Sequence, residues 1–438
     1  MSTQIFYVST LYGTATLAAA LDAGCFAPAD RRLLVIANNA LTPETTPSVD
    51  EMEGFARLRH RFDDVVSWNA AIAPYHPGAW EPRPDDVLLW ERYLRLLWGI
   101  GDDAVELAVE SVQVNPALSL AQMFAGAPVH VYADGLMSYG PTRNKIDPLV
   151  GTRVVRLLHL DLVPGLRPLL LTEFGVRPEA VPTEAFLKVL GELADETPAP
   201  QAAGPGPALL LGQYLSALNL LTADEEEELH VSMVRGAVER GHREIVFKPH
   251  PTAPARYSRA LEDEAARVGV ELTVVEAPVL AEVLYQRSRP ALVVGCFSTG
   301  LFTASALYGL PVARVGTETL LERLAPFQNS NRIPLTLTDA LLPALDAPTA
   351  AAETGYGVQE LVRTVGFVMQ PQIHPGLRPE AEAFLAAHPT ALRYFKRARL
   401  TSLGLPGGVP QRLAFVPRNR TARRVARRVR QLRRLVAR

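Results

Sequence analysis

The chain has 438 residues, of which 48% are hydrophobic and 21% are charged, and these values exclude a disordered protein. One core rarely serves so many residues, so the length predicts two domains of about 200 residues each. The formal net charge of −2 is unevenly spread: eleven arginines and no acidic residue lie between Gln411 and Arg438, which leaves −13 for the rest of the chain.

Strand-like and helix-like segments alternate along the first half of the chain. An apolar run at residues 4–10 predicts a strand, and the small-residue segment 14–24 predicts a helix that ends at glycine. Amphipathic segments at residues 84–101 and 115–127 predict two more helices. Further strand-like runs lie at residues 32–41, 63–69, 104–111, 128–135 and 153–165.

The composition then changes. Residues 196–207 belong to a stretch rich in Pro, Gly and Ala without periodicity, which predicts an interdomain linker. Strands are predicted after it at residues 208–215, 244–251, 271–278, 291–299 and 310–316. Helices are predicted between them at residues 222–241, 255–269, 278–286 and 300–309. Thr222 suits the N-cap of the helix predicted at residues 222–241. The acids that follow it lie in the first turn, where they interact favourably with the helix dipole.

Two successive halves of this kind predict two doubly wound parallel sheets in Rossmann-like domains, at residues 1–195 and 208–375. Ligands of such domains bind at the carboxyl ends of the strands, so a shared ligand would occupy the cleft between the domains. Residues 376–410 predict helices that return towards the first domain.

Ser298 and Thr299 follow a predicted strand and begin the next predicted helix. Two hydroxyls beside free backbone N–H groups suit a phosphate. Plain N-capping explains the same residues equally well when they are taken alone.

Lys248 and His250 lie where the strand of the segment Lys-Pro-His-Pro ends. A histidinium can donate to a departing phosphate, because the ordinary pKa of the imidazole lies near 6.5. Pro249 and Pro251 stiffen the turn and would direct the ring. The alternative is a strand end with a solvated lysine and a structural histidine.

Asp134 ends another predicted strand and precedes Gly135. A carboxylate at this place could act as a general base in the cleft. An aspartate that bonds to the backbone of its own turn is the alternative, and it is commoner in Asp-Gly.

Together these signals resemble the motif set of bacterial sialyltransferases: an acid followed by glycine, His-Pro, and a hydroxyl pair about fifty residues later. The overall layout of residues 4–316 is most similar to the bacterial polysialyltransferase group. The resemblance implies the GT-B fold, in which two Rossmann-like domains face a cleft. It also implies an inverting, metal-independent enzyme that takes CMP-sialic acid as donor, a glycan as acceptor and no cofactor.

The resemblance implies a role for each matching residue. Asp134 would deprotonate the acceptor hydroxyl, and His250 would meet the CMP phosphate and assist its departure. Ser298 and Thr299 would hold that phosphate. The other residues implied on the donor side are Gly212 and Gln213 in a strand-end loop, Lys248 near the cytidine, Pro251 beside the histidine, and Glu276 on the ribose hydroxyls.

The match has one departure, and other functions stay open. Ala133 stands where the family usually has a second acid. Capsule Kdo transferases and teichoic-acid glycerophosphotransferases resemble the same pattern, so CMP-Kdo or CDP-glycerol is an alternative donor. A non-catalytic protein that binds a nucleotide or an anionic glycan is a further hypothesis. The acidic pairs at residues 63–64 and 102–103 resemble caps or solvated charge, so no metal site is predicted.

The arginine-rich segment 411–438 is helical in pattern after Pro417, with a narrow apolar stripe at Val425, Val429, Leu432 and Val436. This pattern favours an anionic membrane surface, with polyanion binding or an unstructured tail as alternatives. Nucleic acid is not expected, because the rest of the chain is acidic.

Three further features of the sequence favour the cytoplasm. The chain has two cysteines in apolar segments, its first residues lack an export signal, and no apolar run approaches the ~20 residues that span a bilayer. We therefore expect a cytoplasmic protein, which the tail could hold at the inner face of the cell membrane.

Overall fold

A computed structural model describes residues 1–133, 135–194, 206–250, 253–347 and 355–409 of the protein. Its strands are β1 (Ser2–Val8), β2 (Arg31–Ile36), β3 (Asp64–Ser67), β4 (Ala104–Val109), β5 (Val129–Ala133), β6 (Val154–Leu160), β7 (Pro178–Val181), β8 (Ala208–Leu211), β9 (Glu244–Lys248), β10 (Glu271–Val274), β11 (Leu292–Gly295) and β12 (Val312–Arg314).

The α-helices are α1 (Leu11–Asp22), α2 (Phe55–Arg59), α3 (Trp68–Ile72), α4 (Val87–Leu97), α5 (Ala117–Met123), α6 (Pro148–Gly151), α7 (Thr183–Ala194), α8 (Ala223–Glu239), α9 (Arg256–Val268), α10 (Ala281–Ser288), α11 (Thr299–Phe302), α12 (Thr317–Arg323), α13 (Arg332–Leu341), α14 (Val358–Met369), α15 (Arg378–Ala387) and α16 (Arg397–Leu403). Within the described ranges, no helix is both long enough and apolar enough to cross a membrane.

The strands form two parallel sheets, as predicted. The first has the order β3-β2-β1-β4-β5-β6-β7 and the second the order β10-β9-β8-β11-β12. In each sheet the strand order reverses once, between β1 and β4 in the first and between β8 and β11 in the second. The carboxyl ends of strands at such a reversal leave a crevice where ligands bind. Each sheet therefore has one crevice at which a ligand of the predicted cleft could bind.

Apolar side chains cover both faces of each sheet, which is why the strand sequences read as continuous hydrophobic runs. One buried cluster includes Phe6 of β1, Val189 of α7, Leu209 of β8 and Val365 of α14, and so extends through both halves of the chain. Separate clusters cover the other faces of the first and the second sheet. The two halves are thus joined through a shared apolar layer.

Two helices connect the halves. Helix α7 packs against α1 of the first half and α10 of the second, and the Arg287 side chain donates to the Ala194 carbonyl at 2.9 Å. Helix α14, late in the chain, returns to the first half, where the Gln359 side chain accepts a hydrogen bond from the Arg167 amide at 2.8 Å. The domain limits expected from the sequence stay a prediction.

Candidate active site

The strand ends of both sheets face one cleft. A cavity of about 550 Å³ is lined by residues that follow the four strands at the two reversals: Ser9 after β1, Glu110 after β4, Gly212 after β8 and Phe297 after β11. The sheets therefore present their two crevices to a common space, which is where a ligand shared by both halves would bind.

Three cavities meet at His250. This residue lines the cavity of about 550 Å³, a neighbouring one of about 810 Å³ and a third of about 410 Å³. The described residues predicted on the donor side line the same three cavities. Lys248 lines the cavities of about 810 and 410 Å³, and Glu276 lines the one of about 810 Å³. The cavity of about 550 Å³ is lined by Gln213 and, together with the cavity of about 410 Å³, by Gly212, Ser298 and Thr299. The fold thus brings together residues from four loops.

The loop after β8 is tied to two neighbouring strand ends. The Gly212 amide donates to the Lys248 carbonyl at 2.9 Å, and the Gln213 side-chain oxygen accepts from the Phe297 amide at 2.9 Å. An added Cβ on Gly212 would lie 3.1 Å from Cα of Pro249, so glycine is needed here for close approach and not for its φ angle. This loop fixes the separation between the Lys-Pro-His-Pro turn and the hydroxyl pair.

Ser298 caps a helix, which agrees with the N-capping interpretation of this residue. Its hydroxyl accepts from the Gly300 amide at 3.2 Å. The α11 helix that follows has only four residues and continues as a π-helical turn at Thr303–Leu307, so a long helix dipole is not what the site offers. Thr299 Oγ1 points into the cleft, 3.2 Å from where a Cβ on Gly135 would lie. The hydroxyl pair therefore borders the first half of the chain.

Two residues predicted in the site, Asp134 and Pro251, lie outside the described residues. The residues on either side of Asp134, Ala133 and Gly135, both line the 550 Å³ cavity with His250, Ser298 and Thr299. The role of Asp134 as a base stays a prediction.

Lys248 and His250 lie on the second-half wall of the site, where burial disfavours their protonated forms. Desolvation lowers the pKa of His250 although the residue borders solvent, the nearby charge of Lys248 lowers it further, and the negative charge of Glu226 opposes both effects. Desolvation also lowers the pKa of Lys248, against the opposing charge of Glu282. An anionic ligand beside Lys248 and the His250 imidazole would oppose both effects and favour the protonated forms of the two groups.

Several further residues of the cleft were not predicted. Glu110 directly follows β4 and accepts from the Ser9 hydroxyl at 2.5 Å, and its place at a strand end is the signal that could have identified it. Glu282 is buried in the first turn of α10, where the Thr303 hydroxyl donates to it at 2.7 Å. Burial raises the pKa of Glu282. Nothing in the local sequence distinguishes Glu282 from an ordinary helical acid.

Arg143 is the remaining unpredicted residue. Its backbone is held at both ends, because its amide donates to the Gln113 side chain at 2.6 Å and its carbonyl accepts from the Gln370 side chain at 2.5 Å. Its side chain lines the 550 Å³ cavity, and no described residue forms an ion pair or a side-chain hydrogen bond with the guanidinium. Desolvation lowers the pKa of this group. A half-buried, unpaired guanidinium on a cleft wall is suited to an anion.

Within the described ranges, no group of three or more His, Cys, Asp or Glu side chains has the arrangement that could hold a metal ion.

Two parallel sheets with a shared cleft at their strand ends define the GT-B fold. The family model described as Alpha-2,8-polysialyltransferase (POLYST) matches residues 4–317. The chain therefore belongs to the alpha-2,8-polysialyltransferase family, which confirms the resemblance identified in the sequence and makes the protein a sialyltransferase-type glycosyltransferase.

Solved structures similar to the chain share little sequence with it. The GT-B domain of the sialyltransferase from Photobacterium damselae is 12% identical with a TM-score of 0.39, over 76% of this chain and 95% of that one. MurG from Acinetobacter baumannii is 12% identical with a TM-score of 0.41, over 89% and 94%. UDP-GlcNAc 2-epimerase from Methanocaldococcus jannaschii is 12% identical with a TM-score of 0.43, over 72% and 83%. No curated protein matches the chain.

Proposed function

We propose that the protein transfers sialic acid from CMP-sialic acid to a glycan acceptor, with inversion at the anomeric carbon and without a metal ion. The observation that carries this proposal is the convergence of Lys248, His250, Ser298 and Thr299 on connected cavities at the cleft. A lysine, an imidazole and two hydroxyls suit one phosphate, and a sialyl donor releases a monophosphate.

The leaving group would depart towards the second half of the chain. As the bond between the anomeric carbon and the phosphate oxygen breaks, its electron pair passes to the CMP phosphate, where negative charge develops. Preorganised donors aimed at that charge stabilise the transition state more than the ground state. The protonated His250 ring would donate to the phosphate, Lys248 would add a positive charge, and the hydroxyls would fix the phosphate's orientation.

The acceptor would approach from the first half. Its hydroxyl oxygen forms the new bond to the anomeric carbon, and the hydroxyl proton passes to a general base, a role that the family motif gives to Asp134. Attack from the wall opposite the leaving phosphate inverts the anomeric centre. Arg143 lies in the same cavity as Ala133 and Gly135, so its guanidinium, which pairs with no described side chain, would bind a carboxylate of an anionic glycan acceptor.

The test is CMP release from CMP-sialic acid by the purified protein, with an oligosialic acid acceptor and with EDTA present. We expect His250→Ala to lower kcat/KM by roughly 10²–10⁴-fold, the usual contribution of a positioned proton donor. His374→Ala is the matched control, because His374 also precedes a proline but lines none of the three cavities. If both variants lose the same activity, the site is wrong.

The pH profile gives a second readout. Since the donor must be the protonated imidazole, kcat/KM should fall as the pH rises through the pKa of His250. That pKa lies below the ordinary value, so the alkaline limb should appear at a lower pH than for an unperturbed histidine. A profile without this limb would contradict protonated His250 as the group that assists departure.

The donor sugar is tested separately. Thermal unfolding in the presence of equal concentrations of CMP, CDP and UDP distinguishes a CMP-sugar from the other nucleotide donors, because the ligand that binds more tightly raises the thermal midpoint further. Stabilisation by CMP over CDP supports a CMP-sugar, and the reverse favours CDP-glycerol. Turnover of CMP-Kdo but not CMP-sialic acid would replace the sugar and leave the site in place. Tight CMP binding without transfer would favour the non-catalytic hypothesis.

The basic segment 411–438 lies outside the described residues. We propose that it attaches the enzyme to an anionic membrane surface, with support from its eleven arginines and its apolar stripe. Sedimentation with phosphatidylglycerol vesicles should retain the full chain at low salt and lose a variant in which these arginines are glutamine. Equal retention of both would refute the attachment.

A further inference from the structure

Glu226 is a buried carboxylate that the reaction as proposed does not use. It lies in the first turns of α8, with 0% of its surface exposed, among acids that mostly face solvent. Its oxygens accept from the Leu215 amide at 2.5 Å, the Ser216 amide at 2.8 Å and the Tyr257 hydroxyl at 3.1 Å. No described cation pairs with it. Burial of a carboxyl group is costly unless its oxygens are hydrogen-bonded, and here two backbone amides and one hydroxyl meet that need.

The hydrogen bonds of Glu226 fix the loop at residues 212–216. One end of this loop reaches the hydroxyl pair, because the Gln213 side chain accepts from the amide of Phe297, the residue before Ser298. The other end is closed by the Ser216 hydroxyl, 2.9 Å from the Tyr257 hydroxyl. Glu226 therefore anchors a continuous chain of hydrogen bonds that lies beneath the donor site.

The same loop reaches His250. The Tyr214 ring lies 6.5 Å from the His250 ring and 6.5 Å from the Tyr257 ring, centroid to centroid. Lys248 acts on His250 from its own turn as a positive charge, and Glu226 acts from α8 as a negative one. The other charged side chains that line the cavities at His250 are Glu110, Arg143, Arg259, Glu262, Glu276 and Glu282.

We propose that Glu226 is a positioning residue of the donor site: it holds the loop at residues 212–216 beside His250 and places a buried carboxylate behind the loop that packs against this imidazole. This inference rests on the proposed function for its purpose but not for its test. When no phosphate is bound, a neighbouring positive charge lowers the pKa of a histidine in such a site. A nearby carboxylate opposes this effect.

The experiment compares Glu226→Gln with Glu227→Gln in the full chain. Glu227 is the adjacent helical acid, which pairs with Arg256 at 3.0 Å and does not touch the loop. The first readout is the NMR titration of His250 in protein with isotope-labelled histidine, assigned with His250→Ala. We expect Glu226→Gln to move the His250 midpoint to lower pH, and Glu227→Gln to leave it unchanged.

The second readout is hydrogen exchange of the peptide that contains residues 212–216. Loss of a charge-assisted hydrogen bond should speed its amide exchange by roughly tenfold or more in Glu226→Gln, and not in Glu227→Gln. Should Glu226→Gln fail to fold, Tyr257→Phe keeps the ring but removes the hydroxyl shared by Glu226 and Ser216, and the same peptide should again exchange faster.

The outcomes separate this inference from the proposed function. An unmoved His250 midpoint, an equal shift in both variants, or unchanged exchange of the loop overturns the role of Glu226. None of these measurements needs turnover, so they hold even if CMP-sialic acid is not the donor. If CMP release does occur, the alkaline limb of kcat/KM should move to lower pH in Glu226→Gln.

Discussion

Replacing Gly212 by alanine tests the geometry of the donor site most directly. The Gly212 backbone has no left-handed φ, so alanine can adopt its conformation without strain. The neighbours are the obstacle: the new Cβ would lie 2.9 Å from Cζ of Phe247, 3.0 Å from its Cε2 and 3.1 Å from Cα of Pro249. Phe247 is 1% exposed and cannot turn away into solvent.

Relief of these contacts requires movement of a few tenths of an ångström in the turn that carries Lys248 and His250. Overpacking of this kind costs about 1–3 kcal/mol. In a domain of about 200 residues, each kcal/mol lowers the thermal midpoint by about 2–4 °C. Because the displaced backbone carries His250, the group that we propose meets the phosphate, we also expect kcat/KM to fall on the order of tenfold.

The assay measures the thermal midpoint and CMP release of Gly212→Ala beside Gly126→Ala. Gly126 is the matched control, because an added Cβ there meets nothing within 4 Å and its φ is not left-handed. Loss of both stability and kcat/KM in Gly212→Ala alone supports the close approach of the two loops. If Gly212→Ala matches the control in both quantities, the described packing between β8 and the Lys-Pro-His-Pro turn is wrong.

Three other predictions follow from the described contacts. His230 is buried, has no hydrogen-bond partner among the described residues, and has its pKa lowered to about 4 by burial, so between pH 6.5 and 4 the unfolded chain binds a proton that the folded chain does not. Stability should therefore fall by up to about 3 kcal/mol as the pH drops from 6.5 to 4; urea titrations should show a shallower fall in His230→Leu, and equal slopes would contradict this. Arg143→Ala should raise KM for an anionic glycan by about 10–100-fold and spare a neutral one, since it removes a charge-assisted hydrogen bond; equal effects on both acceptors would exclude acceptor binding by Arg143. EDTA should leave CMP release unchanged, and restoration of lost activity by a divalent metal would refute metal independence.

The sequence predicted most of the architecture because parallel sheets carry local signals. Buried strands read as short apolar runs between amphipathic helices, and this alternation sufficed for two sheets and for the strand ends at Lys248 and Ser298. It missed β7, an edge strand of four residues that begins with proline and has two exposed positions. It also missed α13 and α14, whose apolar faces have meaning only against the surfaces they cover.

The family resemblance needed few residues, since His-Pro and a hydroxyl pair at strand ends are recognisable from the chain alone. Their convergence on connected cavities needed the structure. Glu110 obeys the same strand-end rule and could have been found, whereas Arg143 has no local signal and is notable only because no described side chain pairs with it.

The role of Glu226 could not be predicted from the sequence. From the chain it is one of several acids at the start of a helix, where the dipole explains them all. The tertiary structure alone buries this carboxylate beneath the loop at residues 212–216 and turns its neighbours outward. Hydrophobic periodicity and strand ends depend on residues that are neighbours in the chain, so they can be read from the sequence. Burial, desolvation and charge pairing depend on side chains from distant segments, and only the folded chain decides which of them meet.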